Sequence, residues 1–229
     1  MFTIQNLVSG YGQSRILHDL SLDVAHKEIV AVMGRNGMGK STLFRSLMGI
    51  LPSWSGSVSV DGQDVSALET HQRVERGIAY VPQGRMIFSH MTVLENIQTG
   101  LPASARGRVP DDLYTLFPVL HEMRQRKGGN LSGGQQQQLA IARALATNPK
   151  VLLLDEPTEG IQPSIIKDIA RTLKEIRSMR DLTIVVSEQV LSFTLDIADR
   201  FLVIEKGRFV VEETRDKVDE ATISRYLSV

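Results

Sequence analysis

Short apolar runs and helix-spaced apolar positions take turns along this chain, and glycine or proline marks most of the changes. Residues 2–8 read as a short strand, Ser9-Gly10-Tyr11-Gly12 as a turn, and residues 16–24 alternate apolar and polar side chains as a half-buried strand does. The run at 28–33 (EIVAVM) is apolar and β-branched and leads into a glycine-rich loop. Residues 40–49 then have helical spacing, with Leu43, Leu47 and Met48 on one side. Further strands are expected at 56–60 and 77–81. From about 84 to 146 the pattern turns helical, with loop signals at Pro102-Ala103-Ser104 and Gly128-Gly129-Asn130. Strand periodicity returns at 151–154, 183–186 and 201–204, separated by helical stretches at 164–179 and 190–198, and 220–227 reads as a short amphipathic helix. Strands alternating with helices predict an α/β fold, its sheet mostly parallel and covered on both faces, with an inserted helical subdomain.

Composition narrows the class. A chain of 229 residues can bury a full core as one folding unit with an insertion. Its formal net charge is zero, so a nucleic-acid partner, which needs a basic face, is not expected. Without cysteine there are no disulfides or thiolate metal sites, which fits a reducing compartment. The start MFTIQNLVSG lacks the basic and apolar regions of a signal peptide, and no apolar stretch approaches the ~20 residues that cross a bilayer. The expectation is a cytoplasmic protein that reaches a membrane only through a partner. The five histidines, at 18, 26, 71, 90 and 121, show no metal spacing.

Chemistry enters at the loops. Gly34-Arg35-Asn36-Gly37-Met38-Gly39-Lys40-Ser41 fits G-x-x-x-x-G-K-[ST], between an expected strand and an expected helix. Its backbone N–H groups would close around nucleotide phosphates, Lys40 would reach the β and γ phosphates, and the Ser41 hydroxyl would ligate Mg²⁺. The strand at 151–154 runs into Asp155 and Glu156, which a parallel sheet would deliver to its ligand-binding edge. Asp155 would hold Mg²⁺ through water and Glu156 would polarise the attacking water. Gln83 also stands at a strand end, where its amide either senses Mg²⁺ and the attacking water or is an ordinary loop residue. Tyr11 either stacks on adenine or closes a turn by packing. The run Leu131-Ser132-Gly133-Gly134-Gln135 offers a hydroxyl, glycine amides and a helix N-terminus, half a phosphate site with no nucleotide of its own. The economical arrangement is two chains head to tail with ATP between them.

With these residues in hand, the chain resembles the ATP-binding subunits of ABC transporters over essentially its whole length. Five motifs occur in order: the aromatic Tyr11, the phosphate loop 34–41, the Gln83 loop, the signature 131–135 and the acid-ended strand 151–156. Within that family it is most similar to short importer ATPases of the branched-chain amino acid type. The segments HQRVERGIAYVPQGRMIF, LSGGQQQQLAIARAL and LLLDEPTEGIQPSIIKDI resemble the urea-transporting member of that subgroup. The resemblance implies a P-loop NTPase cassette: a RecA-like core over 1–83 and 147–229, an N-terminal antiparallel β subdomain, and a helical signature subdomain at about 84–146. It implies ATP and Mg²⁺ as cofactors, with Ser41, Gln83 and Asp155 at the metal and Lys40, Glu156 and Gln189 in catalysis. ATP would be held by Tyr11, Gly34, Arg35, Asn36, Gly37, Met38, Gly39, Lys40, Ser41, Thr42 and Gln83, and across the dimer by Ser132, Gly133, Gly134 and Gln135.

Expected partners are a second ABC ATPase subunit, forming a heterodimer in the complex, an integral membrane permease and, indirectly, an extracytoplasmic solute-binding protein. Expected activity is ATP hydrolysis that drives urea uptake, with branched-chain amino acid uptake as the alternative. Two positions depart from the general family pattern. Gln189 stands where most members carry a γ-phosphate histidine, and Gln162 where an aspartate usually crosses the dimer interface. An amide still donates a hydrogen bond but cannot become a cation. Arg85, Met86, Ile87, Phe88 and Met91 read either as permease-docking surface or as core packing.

Overall fold

The computed structural model describes residues 1–105 and 107–227. Arg106, Ser228 and Val229, which the single-unit expectation also spans, lie outside the described residues. The chain opens with β1 (Phe2–Tyr11), β2 (Ser14–Val24) and β3 (Ile29–Met33), and the phosphate loop then leads into α1 (Lys40–Leu47). β4 (Ser53–Val60), β5 (Gln63–Asp64), α2 (Thr70–Glu75) and β6 (Ile78–Val81) follow. Four helices come next: α3 (Val93–Gln98), α4 (Asp111–Leu116), α5 (Pro118–Glu122) and α6 (Gly133–Leu145). The last third alternates: β7 (Val151–Asp155), α7 (Pro163–Met179), β8 (Thr183–Glu188), α8 (Leu191–Ile197), β9 (Arg200–Glu205), β10 (Arg208–Thr214) and α9 (Glu220–Leu227).

Two sheets result. The larger runs β10-β9-β3-β8-β7-β6, every neighbouring pair parallel except β10 with β9. The smaller, β2-β1-β4-β5, is antiparallel throughout. Both were expected: a mostly parallel sheet flanked by helices, preceded by an antiparallel β portion. Every residue of β3, β7 and β8 is buried, which is why these strands read as continuous apolar runs. Alternate side chains of one strand enter different cores. Ile29, Ala31 and Met33 face the helical layer of α3–α8, while Val30 and Val32 join α1 and the small sheet. Among the described residues, no helix is long and apolar enough to cross a membrane.

Local details differ from the pattern. The expected turn at 9–12 is strand as far as Tyr11, because Ser9, Gly10 and Tyr11 pair with Leu17, Arg15 and Ser14. Gly10 misleads because it marks close approach and not a turn: a Cβ there would lie 2.0 Å from the Ser14 carbonyl oxygen. Residues 84–92 carry no helix; Arg85 (φ 67°) and Met86 (φ 45°) adopt left-handed backbone in an extended loop after β6. β10, β5 and α2 are additional. β10 extends the sheet through a hairpin at Lys206-Gly207, a turn the apolar pattern of 201–204 does not announce.

Candidate active site

The phosphate loop sits between β3 and α1. Gly39, the residue preceding α1, has φ 113°, and Leu17 Cδ2 would lie 3.1 Å from a Cβ built on it, so both conformation and space call for glycine. No side chain caps α1, which leaves its first N–H groups available to an anion. Lys40 is buried, and its ammonium donates to the Gly34 and Arg35 carbonyls at 2.6 and 3.1 Å while pairing with Glu156 Oε1 at 3.1 Å. This charge is held over its own loop, within reach of an incoming phosphate.

Asp155 closes β7, next to the β8 residue Ser187. Its Oδ1 accepts hydrogen bonds from Ser187 Oγ at 2.6 Å and Ser41 Oγ at 3.2 Å, and its Oδ2 accepts from the Tyr80 hydroxyl at 3.1 Å. Burial first, and then the Asp155 charge, push the Tyr80 phenol well above its usual pKa, so it stays a donor. Ser41 and Asp155 thus converge an alcohol and a carboxylate, the oxygen set that suits a hard divalent cation such as Mg²⁺.

Glu156 follows in left-handed backbone (φ 48°), a costly conformation for a non-glycine residue, held by its N–H donating to the Ser187 carbonyl at 3.0 Å. Its carboxylate meets Lys40, Gln83 Nε2 at 3.3 Å and Gln189 Nε2 at 3.1 Å. Gln189 also donates to Asn36 Oδ1 at 2.8 Å, so one amide ties the phosphate loop to the acidic strand end. The open side is a cleft of about 370 Å³ lined by Gly37, Lys40, Ser41, Thr42 and Gln83, with half-exposed Tyr11 at its edge.

Every residue expected on one nucleotide half-site is therefore in one neighbourhood. The signature is not: among the described residues the cleft draws on nothing from 131–135. Ser132 instead caps α6, its hydroxyl accepting from the Gln135 N–H at 3.3 Å while its own N–H donates to Gln135 Oε1 at 2.9 Å. Gly134, expected as a glycine amide for phosphate, also meets a packing demand. A Cβ there would lie 2.5 Å from Ile165 Cγ2, so this glycine lets α6 and α7 approach. Gln162 is exposed at the start of α7.

The residues that read either as docking surface or as core packing divide. Met86 and Phe88 are 64% and 49% exposed, whereas Ile87 packs against the helical core. The exposed pair, with Ile50, Pro82 and Arg143, lines a groove of about 440 Å³; Arg143 also stacks 5.3 Å over the Phe88 ring.

Sequence reasoning missed Tyr80, Ser187, Thr158 and Glu188. Glu188 is a buried carboxylate that accepts from Thr158 Oγ1 at 2.7 Å and from the Gln189 and Val190 N–H groups at 2.7 and 3.2 Å. It fixes the backbone that presents Gln189. Its only sequence signal is an acid ending an apolar strand, the same signal that flagged Asp155.

Comparison with known proteins speaks to family and fold. The ABC transporter family model matches residues 17–159, well over half the chain. The chain belongs to the ABC transporter family. It is similar to the lipopolysaccharide export system ATP-binding protein LptB of Haemophilus influenzae, 36% identical over 99% of this chain and 97% of that one. It is also similar to the high-affinity branched-chain amino acid transport ATP-binding protein BraG of Pseudomonas aeruginosa, 39% identical over 93% of each. Among solved structures, a dimeric ATP-binding cassette in a post-hydrolysis state with ADP and Pi superposes with TM-score 0.81 at 25% identity, over 94% of this chain and 99% of that one. The ABC cassette fold and ATP hydrolase activity in a transport system follow from this membership.

Proposed function

We propose that this chain is the ATP-hydrolysing subunit of an importer for branched-chain amino acids or related small molecules, and that it works as one half of a head-to-tail ATPase dimer. One observation carries the catalytic reading: Lys40, Ser41, Asp155, Glu156 and Gln189 converge on one cleft while Ser132–Gln135 stands outside it. A chain with a complete acidic and cationic half-site and a separate phosphate-binding face needs a second such chain.

Ser41 and Asp155 would hold Mg²⁺, which would supply charge neutralisation for the bound nucleotide's phosphates. Lys40 exchanges its carbonyl partners for phosphate, a stronger charge-assisted contact. Glu156 orients the attacking water and accepts its proton, and Gln83 and Gln189 fix that carboxylate. Gln189 also offers a donor to the phosphate, without the cation a histidine could supply. ATP stabilises the closed dimer because it contacts both chains only there. The groove beside Met86 and Phe88 would receive a cytosolic segment of a membrane permease, and the helices at 84–146 would carry the motion as a subdomain against the core at 1–83 and 147–229.

Similarity to BraG supports branched-chain amino acids ahead of urea, the substrate that the sequence resemblance favoured. Similarity to LptB supports a second reading, an ATPase serving export. Uptake of labelled leucine and of labelled urea in cells lacking this subunit tests the choice. Leucine uptake should fall while urea uptake stays normal; the reverse would return the reading to urea, and a defect confined to lipopolysaccharide export would favour the second.

A further inference from the structure

Asp155 receives three hydroxyls, and two of them, from Tyr80 on β6 and Ser187 on β8, come from outside the phosphate loop. Tyr80 belongs to β6, where side chains alternate: Ala79 and Val81 enter the helical core, and Tyr80 turns to the α1 side. Its ring meets Phe44 edge-on, centroids 6.3 Å apart at 88°. Its hydroxyl donates to Asp155 Oδ2 at 3.1 Å. The same residue is only partly buried, and it lines the groove shared by Pro82, Met86 and Phe88. One stiff aromatic side chain with two torsions therefore reaches from the docking groove to the carboxylate that suits the metal.

We propose that Tyr80 is a positioning residue that aims Asp155 at the metal and passes the filling of the groove to it. The groove half of this rests on the permease reading above; the Asp155 half rests on the hydrogen bond. A carboxylate that binds a cation with one oxygen is oriented by what its other oxygen accepts, and such supporting partners are worth roughly 10–100-fold in metal affinity or activity. Hydrogen bonds weaken steeply out of line, so a segment pressed against the ring alters the support of Asp155 without touching it. This route is separate from Gln83, which meets Glu156.

Tyr80→Phe keeps the ring and deletes the hydroxyl. In the isolated chain, binding of a fluorescent ATP analogue is measured in EDTA and across a Mg²⁺ titration. Affinity in EDTA should be unchanged, and the Mg²⁺ concentration giving half of the metal-dependent tightening should rise roughly tenfold. In an Asp155→Asn background the substitution should add nothing, since the two residues act as one pair. Equal Mg²⁺ response in wild type and variant, or a loss already present in EDTA, would overturn the proposal in favour of simple packing. Should Tyr80→Phe not fold, Tyr80→Met, which also lacks the hydroxyl and fills the space with a flexible side chain, must give the same Mg²⁺-specific loss, or the proposal fails. In complex with a copurified permease, assembly should change the Mg²⁺ requirement of the wild type but not of Tyr80→Phe. Equal changes in both would remove the groove half. A wild-type chain that copurifies with no permease would overturn the docking reading instead, leaving the Asp155 half decided by the titration.

Discussion

At the scale of single residues, the candidate site is a set of hydrogen bonds that hold one carboxylate in place. Glu156 is approached by Lys40, Gln83 and Gln189, and its backbone adopts a conformation that costs energy. Glu156→Gln keeps the shape and removes the proton acceptor. Steady-state ATP hydrolysis should fall at least about 100-fold while ATP binding persists, and a dimer should accumulate on size-exclusion chromatography with ATP. Turnover near the wild-type rate would show that the base lies elsewhere. Much of this site was legible early, since glycines, Lys40 and Ser41 at fixed spacing can mean little else between a strand and a helix. Tyr80, Ser187 and Glu188 were not legible. Each is an ordinary residue whose role comes from a partner 30 or more positions away.

At the scale of elements, α6 and α7 meet through Gly134, whose missing side chain admits Ile165. Gly134→Ala forces a Cβ to within 2.5 Å of Ile165 Cγ2. Overpacking of this kind costs about 1–3 kcal/mol. For a chain of this size that lowers the melting temperature by about 2–4 °C per kcal/mol. Adding Ile165→Ala should recover part of the loss, read by calorimetry; a double variant no more stable than Gly134→Ala would place the strain elsewhere. The sequence suggested a phosphate role for this glycine. Its packing role appears only when two helices 30 residues apart are brought together. Strands buried on both faces were readable from their apolar runs, whereas β10 was not. Its exposed and half-buried residues alternate, and it pairs only because β9 leaves an edge open.

At the scale of the whole molecule, Asp61 ties the small sheet to the large one. It lies in the turn between β4 and β5, and its carboxylate takes the Lys150 ammonium at 2.6 Å and the Met1 ammonium at 2.7 Å. The Lys150 hydrogen bond first, and the Met1 amine next, hold its pKa down to about 2 from an ordinary value of 3.8. A depressed folded-state pKa adds stability above the unfolded value and loses it as the pH falls through the folded one. Asp61→Asn should therefore lower the melting temperature at pH 6, and the gap from wild type should close between pH 4 and pH 2. A gap that stays constant over that window would mean that the charge of Asp61 contributes nothing.

The alternation of strands and helices, the phosphate loop and the acid-ended strand could all be read along the chain. These depend on local spacing and on backbone preferences that act within a few residues. It took the folded chain to reveal that Gln189 bridges Asn36 to Glu156, that Tyr80 reaches Asp155 from the groove beside Met86 and Phe88, and that Gly134 is needed for packing. Those are contacts between distant segments, and their geometry follows from which strands are neighbours in the sheet, a fact that hydrophobic periodicity does not carry.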